Sequence, residues 1–260
     1  MKKFISLINV MAVATVMFAG STSVQAATTG TSTENVSTST MKKEFDAAMS
    51  STKKGDFSSQ KETIEKLAEE GYGPAQALWC SALLHGTGGV SVNYDQALEY
   101  ALKAIDQGQT GVPEEIAGIV YLYGYGSTKA DYSKAMKYFQ SASKTDMKAY
   151  RYLGYIYEQG KGVTKNMTTA IKYFEKGAEQ GDITSQYELG KIYETGNGVT
   201  QDYAKAYEYY KESAARGDNI AAPAMAALGN LYEHGYGVTK NIATAESYYK
   251  KAYQAMADAS

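Results

Sequence analysis

The chain has 260 residues, enough to bury a sizeable core, and its 26 Lys and Arg against 28 Asp and Glu leave a formal charge of −2, which argues against a nucleic-acid binder with a basic stripe. One cysteine, Cys80, and two histidines exclude an intramolecular disulfide scaffold and fall short of most structural zinc modules. Against 3 Pro stand 24 Tyr and 25 Gly, a bias that points to many copies of one aromatic, glycine-bearing unit.

Met1, Lys2 and Lys3 give a positive start, Phe4 to Ala19 is mostly apolar, and Val24-Gln25-Ala26 before Ala27 places small residues where a signal peptidase cuts. Residues 1–26 therefore read as a signal peptide. The apolar run is shorter than the roughly 18 to 20 residues of a bilayer span, and Ser6 and Asn9 interrupt it, so cleavage is expected rather than a lasting anchor. The product is expected to be exported, to a periplasm first and beyond the cell as the alternative. Residues 27–40 are rich in Ser and Thr and bury too little apolar surface to offset ordering entropy, which predicts a flexible leader. In residues 41–73 two short helices, Lys42 to Ser51 and Phe57 to Glu70, flank a Lys53-Lys54-Gly55-Asp56 turn. They read as a degenerate N-terminal cap.

Residues 74–260 carry five copies of one unit. From Leu153 the chain reads L-G-Y-I-Y-E-Q-G-K-G-V-T-K-N, and from Leu189, 36 residues on, L-G-K-I-Y-E-T-G-N-G-V-T-Q-D. A third copy starts at Leu228, and the Gly86/Gly88 and Gly124/Gly126 pairs mark two more upstream. Each unit has the signals of two helices, A and B, around a tight glycine loop. Gly160 and Gly162, for example, sit where helix A ends and φ > 0 is required. Helix B then begins behind Asn93, Asp131, Asn166, Asp202 or Asn241, all good N-cap residues. Four residues on stands Ala97, Ala135, Ala170, Ala206 or Ala245. An aromatic follows at the third position (Tyr100, Tyr138, Tyr173, Tyr209, Tyr248) and a small residue at the seventh (Ala104, Ala142, Gly177, Ser213, Ala252). These define one buried helical face, on which the Tyr rings are expected to fill the gaps beside small residues.

The recurring Ala149, Leu153-Gly154, Tyr157-Glu158, Gly160, Gly162-Val163, Ala170, Tyr173 and Ala178, repeated from Leu189-Gly190 onward, resemble the signature of the Sel-one-like repeat (SLR) family, relatives of the tetratricopeptide repeats. The first two units depart from it, with Trp79-Cys80 and Ala117-Gly118 at the Leu-Gly position and a Ser127-Thr128-Lys129-Ala130 loop one residue short. The resemblance implies an all-α fold, a right-handed superhelical solenoid of antiparallel helix pairs with the A helices lining a concave surface. It brings no catalytic hallmark and no cofactor. Cysteine-rich members have been linked to penicillin binding, but their two cysteines per repeat are missing here.

Comparison among the units disposes of several chemical candidates. His85 and His234 fall where other units have Gln159 and Thr195, a slot open to any polar residue, which argues against a metal or catalytic role. Cys80 shares its slot with Gly118, Gly154, Gly190 and Gly229 and reads as a small buried residue. No G-x-S-x-G elbow, P-loop or supported S-x-x-K emerges, so an enzyme is not expected. Glu158, Glu194 and Glu233 form a ladder that reads first as structural.

By analogy with tetratricopeptide repeats, the groove-facing positions are Arg151, Tyr155, Glu158 and Gln159, then Tyr187, Lys191 and Glu194, then Asn230, Glu233 and His234. They are the candidate contacts for a protein partner, with no nucleic acid and a monomeric chain expected. The reading is an exported scaffold or regulator of an envelope complex. Its alternatives are an immunity protein that neutralises an exported toxin such as a phospholipase, and a cell-wall hydrolase or glycan binder.

Overall fold

The computed structural model of the chain describes residues 32–51 and 60–258, so the signal peptide expected over 1–26 lies outside the described residues. Among those described, the regular structure is twelve α-helices and one short 3-10 turn, Thr87–Gly89, with no strand. The helices are α1 (Ser32–Ser51), α2 (Lys61–Glu69), α3 (Gly73–His85), α4 (Tyr94–Asp106), α5 (Val112–Tyr123) and α6 (Tyr132–Ala142). They continue as α7 (Lys148–Gln159), α8 (Met167–Glu179), α9 (Ile183–Thr195), α10 (Tyr203–Ala214), α11 (Ala222–His234) and α12 (Ile242–Ala257). By contact they form two compact units, residues 1–146 with α1 to α6 and residues 147–260 with α7 to α12.

The five predicted caps hold. Asn93, Asp131, Asn166, Asp202 and Asn241 each have extended backbone, and each side chain accepts a hydrogen bond from the N–H three residues on, as Asn166 does from Thr169 at 2.9 Å. Their own N–H groups reach back to helix A: Asn166 to the carbonyl of Tyr157, Asp202 to Tyr193 and Asn241 to Tyr232. One residue per unit thus satisfies an orphan donor of helix B and closes the loop onto helix A. At the other end of the loop, helix A stops on a left-handed glycine, such as Gly160 at φ 69° or Gly196 at φ 72°. Asn166→Ala is expected to lower stability by about 0.5–2 kcal/mol, measured by urea denaturation; an unchanged midpoint would show that the cap does not hold helix B.

Within residues 147–260, α8 and α10 each lie between their own helix A and the next, α8 between α7 and α9 and α10 between α9 and α11. Phe174 of α8 is buried with Leu189 and Ile192 of α9, and Tyr210 of α10 with Leu228 and Leu231 of α11. Burying one such ring contributes roughly 1.5–3 kcal/mol. The small seventh-position residues are buried as expected, Gly177 against the side chain of Ser185 and Ser213 with its hydroxyl donating to the carbonyl of Ile183 at 2.8 Å.

In residues 1–146, α3 with α4 and α5 with α6 repeat this hairpin. Ahead of them, α2 stands where a preceding helix B would. Gln76 of α3 donates to the carbonyl of Ala68, as its counterpart Gln186 of α9 does to Ala178. The leader expected over residues 27–40 differs from the structure, because the α1 backbone is already helical from Ser32. Ser and Thr disfavour helix interiors only weakly, and a helix continuing from Met41 onward extends back through them.

The third-position tyrosines need a correction. Tyr100, Tyr138, Tyr173, Tyr209 and Tyr248 are half-exposed rather than core. The ring that fills the gap beside the slot glycine comes one residue later: Phe139 against Gly118, Phe174 against Gly154, Tyr210 against Gly190 and Tyr249 against Gly229. Positions three and four after the cap-proximal Ala flank the same helical face by 3.6-residue geometry, and periodicity alone does not separate them.

Candidate functional site

The half-exposed tyrosines build a different feature. Four of the five stack flat on a tyrosine of their own helix A: Tyr121 on Tyr138 at 5.8 Å, Tyr157 on Tyr173 at 5.6 Å, Tyr193 on Tyr209 at 5.7 Å and Tyr232 on Tyr248 at 5.8 Å between centroids. In the unit of Tyr100 the matching helix A position is Leu83. Lys176, Lys205 and Lys251 lie over these rings at 4.9–5.6 Å. Ring pairs of this kind contribute about 0.5–1.5 kcal/mol beyond their burial. Eight of the 24 Tyr are thereby used to hold hairpins together.

The proposed contact residues sit on α7, α9 and α11, all within residues 147–260. Helix α7 brings Arg151, Tyr155, Glu158 and Gln159, and α9 supplies their neighbours. Arg151 Nη1 donates to Asp182 Oδ1 at 2.8 Å and to Thr184 Oγ1 at 3.3 Å. Asp182 is the N-cap of α9, and its other oxygen accepts from the N–H and hydroxyl of Ser185. Arg151 therefore clamps one repeat to the next. Tyr155 is tied in the same way, its hydroxyl donating to Glu188 Oε1 at 3.1 Å, while Lys191 donates to Glu188 Oε2 at 2.7 Å. Burial, reinforced by Glu188, pushes the Tyr155 hydroxyl well above its usual range. Burial works against the charge of Lys191, and Glu188 outweighs it, raising its pKa.

Glu188 organises this cluster and was not among the expected residues. It stands where other units carry Leu78, Ile116, Tyr152 or Ala227. A lone carboxylate in a column of apolar residues is the signal that could have found it.

The glutamate ladder has an internal logic. The Tyr210 hydroxyl donates to Glu194, and that of Tyr249 to Glu233 at 2.7 Å, across the same 16-residue spacing. Burial and the glutamate hydrogen bond push both hydroxyls up, Tyr249 to about 12. In the unit of Glu158 the donor's place is taken by Phe174. Glu158 has its pKa raised, by burial first and then by the charge of Glu188, with Lys191 and Lys165 opposing. Tyr187 packs its ring on Tyr210 at 5.7 Å, and on α11 the imidazole of His234 meets the carbonyl of Asn230 at 3.0 Å and stacks on Tyr236. Gln159, Lys191 and His234 remain exposed; Arg151, Tyr155 and Glu194 are committed internally.

A raised carboxyl pKa means the folded state holds the proton more tightly than the unfolded one, so stability falls as pH rises through the titration of Glu158. Glu158→Gln is expected to melt higher than the parent at pH 7 and to lose that advantage by pH 3. Thermal melts at the two pH values check this, and an equal difference at both would contradict it.

Among the described residues, no group of three or more His, Cys, Asp and Glu side chains is placed to hold a metal ion. No described helix is long and apolar enough to cross a membrane.

Capped helix hairpins, a glycine–aromatic slot in four of the five hairpins and loops closed by the cap define a helix-hairpin repeat protein. The Sel1 repeat matches over residues 73–109, 116–144, 148–182, 183–218 and 222–255, and the chain belongs to that family. Its fold is similar to that of a Sel1 repeat protein from Oxalobacter formigenes, with 30% identity, a TM-score of 0.66 and coverage of 76% of this chain and 78% of that one. It is also similar to c5321, a protective antigen of uropathogenic Escherichia coli strains with an SLR fold, at 26% identity and a TM-score of 0.63 over 85% of this chain and 46% of that one. The immunity protein Pa5087 from Pseudomonas aeruginosa shares the fold at 21% identity, with a TM-score of 0.54 over 84% of this chain and 83% of that one. A search of curated proteins finds no match.

Proposed function

We propose that this protein is an exported, non-catalytic scaffold or regulator that holds a partner protein against the A-helix residues of α7, α9 and α11. The observation that carries the reading is the division of labour on those helices. Arg151–Asp182, Tyr155–Glu188 and Tyr210–Glu194 fix the helices in place. Gln159, Lys191 and His234 are left exposed on that preformed support. A rigid surface lowers the ordering cost of association and lets shallow contacts sum. Export rests on the N-terminal pattern of Met1 to Ala26 and is consistent with Cys80, whose thiol is fully buried and pushed up by that burial, shielding it from oxidants.

The experiment is affinity capture from an envelope extract with the parent protein and a Glu158→Gln, Lys191→Gln double variant, followed by calorimetry on whatever is recovered. A partner that binds the parent and is lost with the variant supports the reading, and one indifferent to it places the contact elsewhere. Arg151 is left intact, because removing it strips a buried Asp182. The immunity protein among the solved neighbours favours a second reading, neutralisation of an exported toxin. Recovery of a toxic enzyme whose activity the parent inhibits would select that reading over a scaffold.

A further inference from the structure

The face of helix B that meets the next helix A is built from four slots. In α8 they hold Met167, Ile171, Phe174 and Ala178, and in α10 Tyr203, Tyr207, Tyr210 and Ala214. There Phe174 and Tyr210 are 0% and 1% exposed beneath α9 and α11. On α12 the same slots hold Ile242, Glu246, Tyr249 and Tyr253, and among the described residues they are open. Tyr249 is 36% exposed, Ile242 48%, Tyr253 76%, and the adjoining Met256 47%.

The composition of this face selects its occupant. Another repeat docked in register would bury Glu246, which sits where the other units have Leu98, Met136, Ile171 or Tyr207. An unpaired buried carboxylate opposes that arrangement. Lys250, one turn beyond Glu246 on the same edge of α12, makes the face self-complementary. When two such helices pack antiparallel about a two-fold axis near Tyr249, the same edges of the two helices meet. Ile242 then faces the partner's Met256, the two Tyr249 rings lie side by side, and Glu246 reaches the partner's Lys250 while Lys250 reaches the partner's Glu246.

We infer that α12 is a homodimerisation surface and that its occupant is the α12 helix of a second copy of this chain. This replaces the monomer expected from the sequence and is independent of the partner proposed for α7, α9 and α11. A contact along one helix of 16 residues lies at the small end of interface sizes, so the dimer is weak, with a dissociation constant on the order of micromolar to hundreds of micromolar.

Sedimentation equilibrium of the purified protein across that concentration range tests it. The parent is expected to move from one to two chain masses. Glu246→Lys, which sets like charges opposite Lys250, and Tyr253→Ser should each weaken association at least tenfold. Glu246→Lys combined with Lys250→Glu should restore it. All three substitutions are at exposed positions, and unchanged helical circular dichroism confirms folding. A monomer at every concentration overturns the inference, including one whose α12 is covered by the chain's own first 31 residues or by another protein. A dimer indifferent to these variants, or one not restored by the charge swap, overturns it equally.

Discussion

Gly190→Leu is expected to destabilise the protein by about 3 kcal/mol or more, through overpacking at a point where two helices touch. A Cβ built on Gly190 would lie 2.5 Å from both Cδ1 and Cε1 of Tyr210, against the fixed edge of a ring rather than a flexible chain end. Tyr210 is closed in by Leu228 and Leu231 and its hydroxyl is held by Glu194, so the ring has no direction in which to give. Even Gly190→Ala must move it, and the gain of about 1 kcal/mol in helix propensity offsets that cost only partly. The first repeat shows the compensated form of the same contact. Its small slot holds Cys80 and its aromatic slot holds Ala101, both fully buried. Gly190→Cys combined with Tyr210→Ala should therefore lose less than the sum of the single changes, with a coupling of about 0.5–3 kcal/mol. Chemical denaturation of the four proteins in this cycle measures it. Strict additivity would mean that the two slots do not touch.

The same contact explains how much of the fold was legible. A glycine in one helix and an aromatic in the next recur together, and five N-caps and five loop glycines repeat in fixed register. Each is a local requirement that leaves a local mark. Assigning which of two adjacent aromatics meets the glycine was beyond reach, because Tyr209 and Tyr210 straddle one helical face; only the packed structure shows one stacked on Tyr193 and the other on Gly190. The candidate site was less legible for a different reason. Its side chains are long and polar, and their partners lie about 30 residues away. Arg151 and Tyr155 looked available on α7 when read by position, and both turn out to reach across to α9, to Asp182 and Glu188. Register says which way a side chain starts, whereas burial of a charged end depends on what the neighbouring repeat brings to meet it.

That reach makes Arg151 the second point of large effect. Its side chain is 14% exposed and that of Asp182 4%, so the pair has given up most of its hydration. Removing the cation alone, as in Arg151→Met, leaves Asp182 buried with only the two hydrogen bonds from Ser185. The expected loss is about 3–5 kcal/mol. Arg151→Met with Asp182→Ser should recover much of it, because serine retains an N-cap oxygen for α9 while removing the stranded charge. The parent should also keep its stability when salt is raised from low to molar concentration, since screening acts weakly on a buried pair. Melting and denaturant midpoints of parent, single and double variants decide the matter. If the double variant were as unstable as Arg151→Met, the cost would lie in lost packing of the arginine stem against Tyr152 and α9. If Arg151→Met cost nothing, Arg151 would not be a clamp and would return to the set of residues free to meet a partner.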